Sequence, residues 1–268
     1  MYRIDVLVQG FPGKAVCHGG LGWSTVTLLR GFGRVILIDV GAFGVRRELA
    51  KQLRAAGVAP QDVTDVVLTH AHYDHAVNFT LFPAATVWIG ASELDWALAQ
   101  PPGFDPLPEL YVRELAVRPG VERLGPEQDF LPGLRAVAAP GHTPGHLIFL
   151  MTANPIHLLF SGDAAKNRAE LLGGRVDASA DHRQSEASLD LIWRHWRATP
   201  GTILVPGHDL CMRLDVAGRP EYVGERRAAI AAWFSENLSD ETHIDLCAPA
   251  ASGLFTHLLS TPSGTTQP

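Results

Sequence analysis

The sequence predicts an α/β protein. Short β-rich runs recur along the chain, and stretches with apolar residues at helical spacing stand between them. Several of these runs also end in loops carrying histidine or aspartate, at 70–75, 142, 163 and 208. Both halves share the order of strands, ligand-bearing strand end, then helix, although no internal repeat is strong enough to establish duplication.

Taken in order, residues 4–8, 24–29 and 34–40 read as strands, the last two joined by Arg30-Gly31-Phe32-Gly33, a hairpin signal. Gly19-Gly20-Leu21-Gly22-Trp23 is a flexible loop that either borders a site or simply turns the chain. Val45, Leu49, Leu53 and Ala56 give a helical face, and Gly57 stops it. Strands follow at 65–69 and 86–89. Ser92, with Asp95 three positions on, marks a helix start, and the helix ends at Pro101-Pro102. The segment 101–120 carries prolines at 101, 102, 106 and 108 among Phe104, Leu107, Leu110 and Tyr111. It reads as a partly irregular excursion that packs on the body or covers a pocket. Strand signals return at 134–139, 147–151 and 156–160. Leu189, Ile192, Trp193 and Trp196 then line a helix after Ser185, with the tryptophans assigned to the core. Residues 202–205 form a last buried-type strand, 226–238 read as helix, and 261–268 as a frayed polar tail.

Composition narrows the class. At 268 residues, 46% apolar and 19% charged, the chain has ample core material for a globular protein. A formal net charge of −6 offers no basic footprint for nucleic acid. Cys17, Cys211 and Cys247 are sparse and unpaired in pattern, which fits a reducing compartment and buried small side chains. The first residues run straight into a strand, and no apolar run approaches the ~18 residues of a membrane span. A cytoplasmic location and no membrane partner are therefore expected.

The run Thr69-His70-Ala71-His72-Tyr73-Asp74-His75 places three imidazoles and a carboxylate directly after a strand. A strand and turn can aim His70 and His72 at one point and Asp74 and His75 at a neighbouring one. Neutral imidazole and carboxylate suit zinc and related divalent metals. Pro140-Gly141-His142-Thr143-Pro144-Gly145-His146, Ser161-Gly162-Asp163 and Pro206-Gly207-His208 repeat the pattern of a β-run followed by glycine and a ligand type. Glycine lets the backbone turn sharply and come close to a metal.

This order of motifs, HxHxDH at 70–75, GH at 142, GD at 163 and GH at 208, resembles the metallo-β-lactamase superfamily, in its lactonase and glyoxalase II branches, over roughly residues 20–210. The resemblance implies a four-layer αβ/βα sandwich, two mixed β-sheets flanked by helices, with metals at the open edge where the sheets meet. It implies a single domain over 1–268, with the C-terminal helix and tail at 211–268. Two divalent ions are implied, zinc first and manganese or iron as alternatives. His70, His72 and His142 would hold the first, Asp74, His75 and His208 the second, and Asp163 would bridge them. Asp39 matches an early structural aspartate and His146 a supporting position. No cysteine stands at a ligand position.

The implied activity is hydrolysis by a metal-bridging hydroxide that attacks a carbonyl, with Asp74 taking and returning the proton. A lactone or small carboxylic ester is the leading substrate class, with a small molecule as partner and a monomer or homodimer as assembly. Alternatives are a glyoxalase II-like thioesterase, a β-lactamase, a nuclease and a mononuclear-iron persulfide dioxygenase. Related acyl-homoserine lactonases often carry tyrosine three residues after the bridging aspartate, where this chain has Lys166. Lys166 either donates to a substrate oxyanion or carboxylate, as a candidate catalytic residue, or is a solvated lysine opening a helix. Ala76-Val77-Asn78 replaces the glycines of many relatives, and the basic C-terminal domain of glyoxalase II is not evident after 210. Tyr73, Phe79, Trp88, Phe104 and Tyr111 are candidates for an apolar pocket, with core packing the commoner role for each.

Overall fold

The computed structural model describes residues 1–17 and 20–247. Gly19 of the 19–23 loop and the 261–268 tail lie outside the described residues. The chain divides into two compact units, 1–225 and 226–268.

In the first unit, β1 (Arg3–Val8), β2 (Val26–Gly31) and β3 (Arg34–Ile38) form an antiparallel meander. Helix α1 (Arg46–Ala55) leads to β4 (Asp65–Val67), and the one-turn α2 (Tyr73–Ala76) follows. Next come β5 (Thr86–Gly90), α3 (Ala91–Leu98), α4 (Glu109–Val117) and β6 (Val121–Leu124). Strands β3 to β6 run parallel and complete a six-stranded sheet in the order β1-β2-β3-β4-β5-β6. The second sheet begins with β7 (Glu127–Leu131), β8 (Leu134–Ala138), β9 (Leu147–Met151) and β10 (Leu158–Gly162). Helices α5 (Arg168–Gly173) and α6 (His182–Ala198) precede β11 (Ile203–Pro206), β12 (Met212–Leu214) and β13 (Pro220–Tyr222). Its order is β13-β12-β11-β10-β9-β8-β7, antiparallel except for β10 and β11.

The alternation of side chains along the strands builds the layers. Leu29, Ile36, Ile38 and Val67 from the first sheet meet Ala136, Phe149, Phe160 and Val205 from the second in one buried cluster. Leu28, Leu37, Val66 and Val87 point the other way, onto Leu49 and Leu53 of α1, Leu94 of α3 and Leu115 of α4. On the far side, Ile148, Leu159 and Leu204 pack on Leu189, Ile192 and Trp196 of α6. Three apolar layers between four layers of elements give the expected αβ/βα sandwich.

Three sequence expectations need correction. Residues 226–238 are not helical: β14 (Ala229–Trp233) pairs antiparallel with β15 (Glu241–Asp245), Ile230 opposite Ile244. The alanines suggested a helix, but propensity is a weak prior that strand pairing overrides. The intervening Ser235 and Asn237 turn the chain locally: Ser239 N–H donates to Asn237 Oδ1 at 2.9 Å, and Asn237 N–H to Ser235 Oγ at 3.1 Å. Ser92 is not a cap either. Helix α3 starts directly from β5 with Gly90 as its N-cap and no side-chain cap bond, so Ser92 falls inside the first turn. Nor are the cysteines buried, since Cys17 is exposed and Cys211 and Cys247 are half-buried. The 101–120 excursion is partly irregular as expected, with 109–117 forming α4, whose Val112 and Leu115 are buried.

The polar residue most deeply enclosed near α3 is Glu93, fully buried. Burial raises its carboxyl from the ordinary 4.5 to about 7, against the pull of the Thr143 hydroxyl and the amides of Ala71 and Gly145. The folded state thus binds this proton more tightly than the unfolded chain. Its stabilising contribution is complete below 4.5 and is lost as pH rises through about 7. In metal-free protein, the stability of the native chain relative to Glu93→Gln should therefore fall by about 3 kcal/mol across that window. Thermal denaturation of both proteins at a series of pH values checks this; a difference independent of pH contradicts it.

Candidate metal centre

Four loops at the ends of strands converge. After β4, Leu68 still bonds across to Trp88 (N···O 2.8 Å), which carries Thr69 and His70 to the sheet edge. His72 is extended (φ −63°, ψ 150°) and caps α2, whose single turn presents Asp74 and His75. His142 follows β8 in a turn closed by Gly141 N–H to Thr143 O at 3.0 Å. Asp163 follows β10. His208 follows β11, and its N–H donates to Lys166 O at 2.8 Å.

The side chains meet. His72 Nδ1 lies 3.0 Å from His142 Nε2, and His75 Nε2 lies 3.2 Å from His208 Nε2. Asp163 Oδ1 is 3.1 Å from His75 Nε2 and 3.2 Å from His208 Nε2, and its Oδ2 is 3.3 Å from His142 Nε2. Asp74 Oδ2 is 3.2 Å from His208 Nε2. Ligand-type atoms of His70, His72 and His142 lie within 4.8 Å of one another, as do those of His70, His75 and Asp163, and those of Asp74, His75 and His208. All seven residues singled out from the sequence are therefore in one cluster, and all but Asp74 are buried.

Burial first, and neighbouring imidazoles second, push His70 well below the usual histidine range. Burial lowers His72 to about 4 and holds His142 well below normal. These three present neutral rings with lone pairs, the form that binds metal. On the other side, burial opposes the charge of His75 and His208, yet Asp163 and Asp74 outweigh it; His208 rises to about 9 and His75 well above its ordinary value. Burial also works to raise Asp74, but His75 and His208 bring it down to about 2. His70 Nε2 is buried without a hydrogen-bond partner. Buried polar atoms are rarely left so. Close nitrogen pairs, a carboxylate amid three imidazoles and this orphaned ring nitrogen all fit a bound divalent cation, or two.

The surroundings hold the cluster in place. Asp39 accepts from Thr69 N–H at 2.8 Å and lies 2.8 Å from His75 Nδ1, which leaves His75 Nε2 facing the cluster. His146 is fully buried, and its Nε2 accepts the Asp163 amide at 3.0 Å. At Gly207 a Cβ would fall 2.3 Å from Asp163 Oδ1, so only glycine lets that loop pass. One support was invisible in the sequence: His142 Nδ1 lies 2.8 Å from the carbonyl oxygen of Ala178, a residue at φ +50°. A backbone carbonyl carries no residue-type signal. Glu93, which joins two of the loops through Ala71, Thr143 and Gly145, had no motif to mark it either.

A cavity of about 750 Å³ opens over the cluster. His72, Asp74, His142, Asp163 and His208 form its floor, and Leu21, Gly22, Tyr73, Pro106 and Lys166 contribute to its walls. The 19–23 loop and the 101–120 segment thus both border the site, the latter through Asp105 and Pro106, with Tyr73 N–H bonded to Pro106 O at 3.2 Å. Of the candidate aromatic residues, Tyr73 reaches the cavity. Phe79, Trp88 and Tyr111 belong to the core or pack against it, and Phe104 stacks edge-on with Trp96. Lys166 Nζ is bonded to Glu170 Oε1 at 3.0 Å and to Asp177 O at 2.5 Å.

The chain is 28% identical over 230 residues to the N-acyl homoserine lactonase AttM of Agrobacterium fabrum, covering 78% of this chain and 83% of the relative. It is 26% identical over 208 residues to metallo-β-lactamase domain-containing protein 1 of Xenopus laevis, covering 77% and 79%. The structure of AidC, a dizinc quorum-quenching lactonase solved with a product, superposes with a TM-score of 0.62 at 20% identity, covering 76% of this chain and 80% of that one, a likeness of fold. The family model of the metallo-β-lactamase superfamily matches residues 19–208, and the chain belongs to that superfamily.

Proposed function

We propose that this protein is a metal-dependent hydrolase that opens a lactone or a similar small carboxylic ester. The observation that carries the reading is the seven-residue cluster, five of whose members floor an open cavity, with the buried Asp163 carboxylate shared among His75, His142 and His208. The lactonase activity named for the AttM relative supports the substrate class.

His70, His72 and His142 would hold one divalent ion, and Asp74, His75 and His208 a second, with Asp163 common to both; zinc suits this donor set best. Bound there, such ions would contribute a lowered water pKa and Lewis-acid chemistry. The chain's own groups do the rest. Asp74 is the acid side chain of the cluster most open to the cavity, and its carboxylate stays ionised beside His75 and His208. It accepts the proton released as the nucleophile forms and passes it to the leaving oxygen, a transient role for a group so weakly basic. Lys166 has three N–H donors, of which Glu170 and Asp177 engage two. Lys166 lines the cavity, so the third would be available to a substrate carbonyl oxygen. Because Glu170 already balances the ammonium charge, donation to a carbonyl oxygen is favoured over capture of a free carboxylate.

Two outcomes follow. A panel of lactones, thioesters, phosphodiesters and β-lactams, assayed with metal-reconstituted protein, should show turnover of lactones above all others, abolished by chelation and restored by zinc; turnover of phosphodiesters alone contradicts the proposal. Lys166→Met should lower kcat roughly 10²–10³-fold with a smaller change in KM, the loss typical of one oxyanion donor. An unchanged kcat would assign Lys166 to the support of the 174–178 loop instead.

A further inference from the structure

We propose that Glu93 is a positioning residue for the His70, His72 and His142 cluster, acting as a single buried clasp between the two loops that carry these ligands. This rests on the metal-binding reading above.

Those loops come from different sheets: His70 and His72 follow β4, and His142 follows β8. Their nitrogens must nonetheless be held at fixed separations, because His72 Nδ1 and His142 Nε2 are only 3.0 Å apart. Glu93 Oε1 accepts the N–H of Ala71, the residue between His70 and His72, at 2.9 Å. Glu93 Oε2 accepts the hydroxyl of Thr143, the residue after His142, at 2.7 Å, and the N–H of Gly145 at 3.1 Å. One carboxylate thus spans both loops with three hydrogen bonds, each donor adjacent in sequence to a ligand or close to one. Glu93 does not line the cavity. It acts on the ligands through the Ala71 and Gly145 amides and the Thr143 hydroxyl.

The fit is tight. A Cβ at Gly145 would stand 2.1 Å from Glu93 N, and one at Gly90 would stand 2.8 Å from Gly145 O, so the start of α3 and the 141–146 loop lie in direct contact. A backbone tie between the loops, Leu147 N–H to Thr69 O at 2.9 Å, lies at their strand-side ends. The ligand-side ends are joined through Glu93. A glutamine there offers one acceptor oxygen and one amide, and the amide would face an N–H donor. An aspartate is one methylene short of spanning both loops.

Outer groups that orient ligands typically control 10–100-fold in metal affinity. The test is a cobalt(II) titration of the native protein, Glu93→Gln, Glu93→Asp and Thr143→Val, followed by visible absorption and by dialysis stoichiometry. We expect native protein to load two ions. Glu93→Gln and Glu93→Asp should weaken one of them by roughly 10–100-fold while the other binds as in the native protein. Thr143→Val, which removes one of the three bonds, should weaken the same ion less. Native-like affinity for both ions in the Glu93 variants overturns the inference, as does equal weakening of both together with a lowered Tm, which would mark a general structural role. A native protein that binds no cobalt overturns the metal reading itself and this inference with it.

Discussion

The Asp163 carboxylate is the point on which the rest of the structure depends. It is buried, and three imidazoles brought in by three other loops stand within 3.3 Å of it. A charge so placed costs several kcal/mol unless it is compensated. The surroundings supply that compensation in detail. His146 accepts its amide, Gly207 leaves room for its oxygen, and His75 is turned toward it by Asp39 on the far side of the ring. The two sheets must meet at this edge, and at no other register, for β4, β8, β10 and β11 to deliver their loops together.

The electrostatics divide the cluster into two unlike halves. His70, His72 and His142 are driven toward the neutral form mainly by burial, while Asp74 and Asp163 draw His75 and His208 toward the charged form. A donor set of neutral imidazoles beside a carboxylate-rich set gives two environments of different charge within one site. The supports also differ: Asp39 braces the ring of His75 and holds Thr69 beside His70, whereas Glu93 and the Ala178 carbonyl brace the loops of His72 and His142.

Much of this was legible in the sequence because the ligands are of rare types, recur at strand ends and sit beside glycine. The helices at 46–55 and 182–198 and most strands were equally readable, since apolar periodicity and burial coincide there. The reading failed where local preference and long-range pairing disagree. Alanine-rich 226–233 looks helical until its partner at 241–245 is known. The short strands β6 and β7, with exposed charged residues such as Glu122 and Asp129, carry little apolar signal at all. The supports of the site were illegible for another reason. Ala178 acts through a carbonyl that any residue possesses, and Glu93 is an acid in a helical stretch, where most acids are solvated.

The central claim is that the seven-residue cluster binds two divalent ions. Native mass spectrometry of zinc-reconstituted protein, compared with the same protein after chelation, tests it most directly. The account predicts two zinc ions per chain, and fewer when His142 or His208 is replaced by alanine. A native protein that carries no metal, or one that holds a single iron and accepts no second ion, would contradict it.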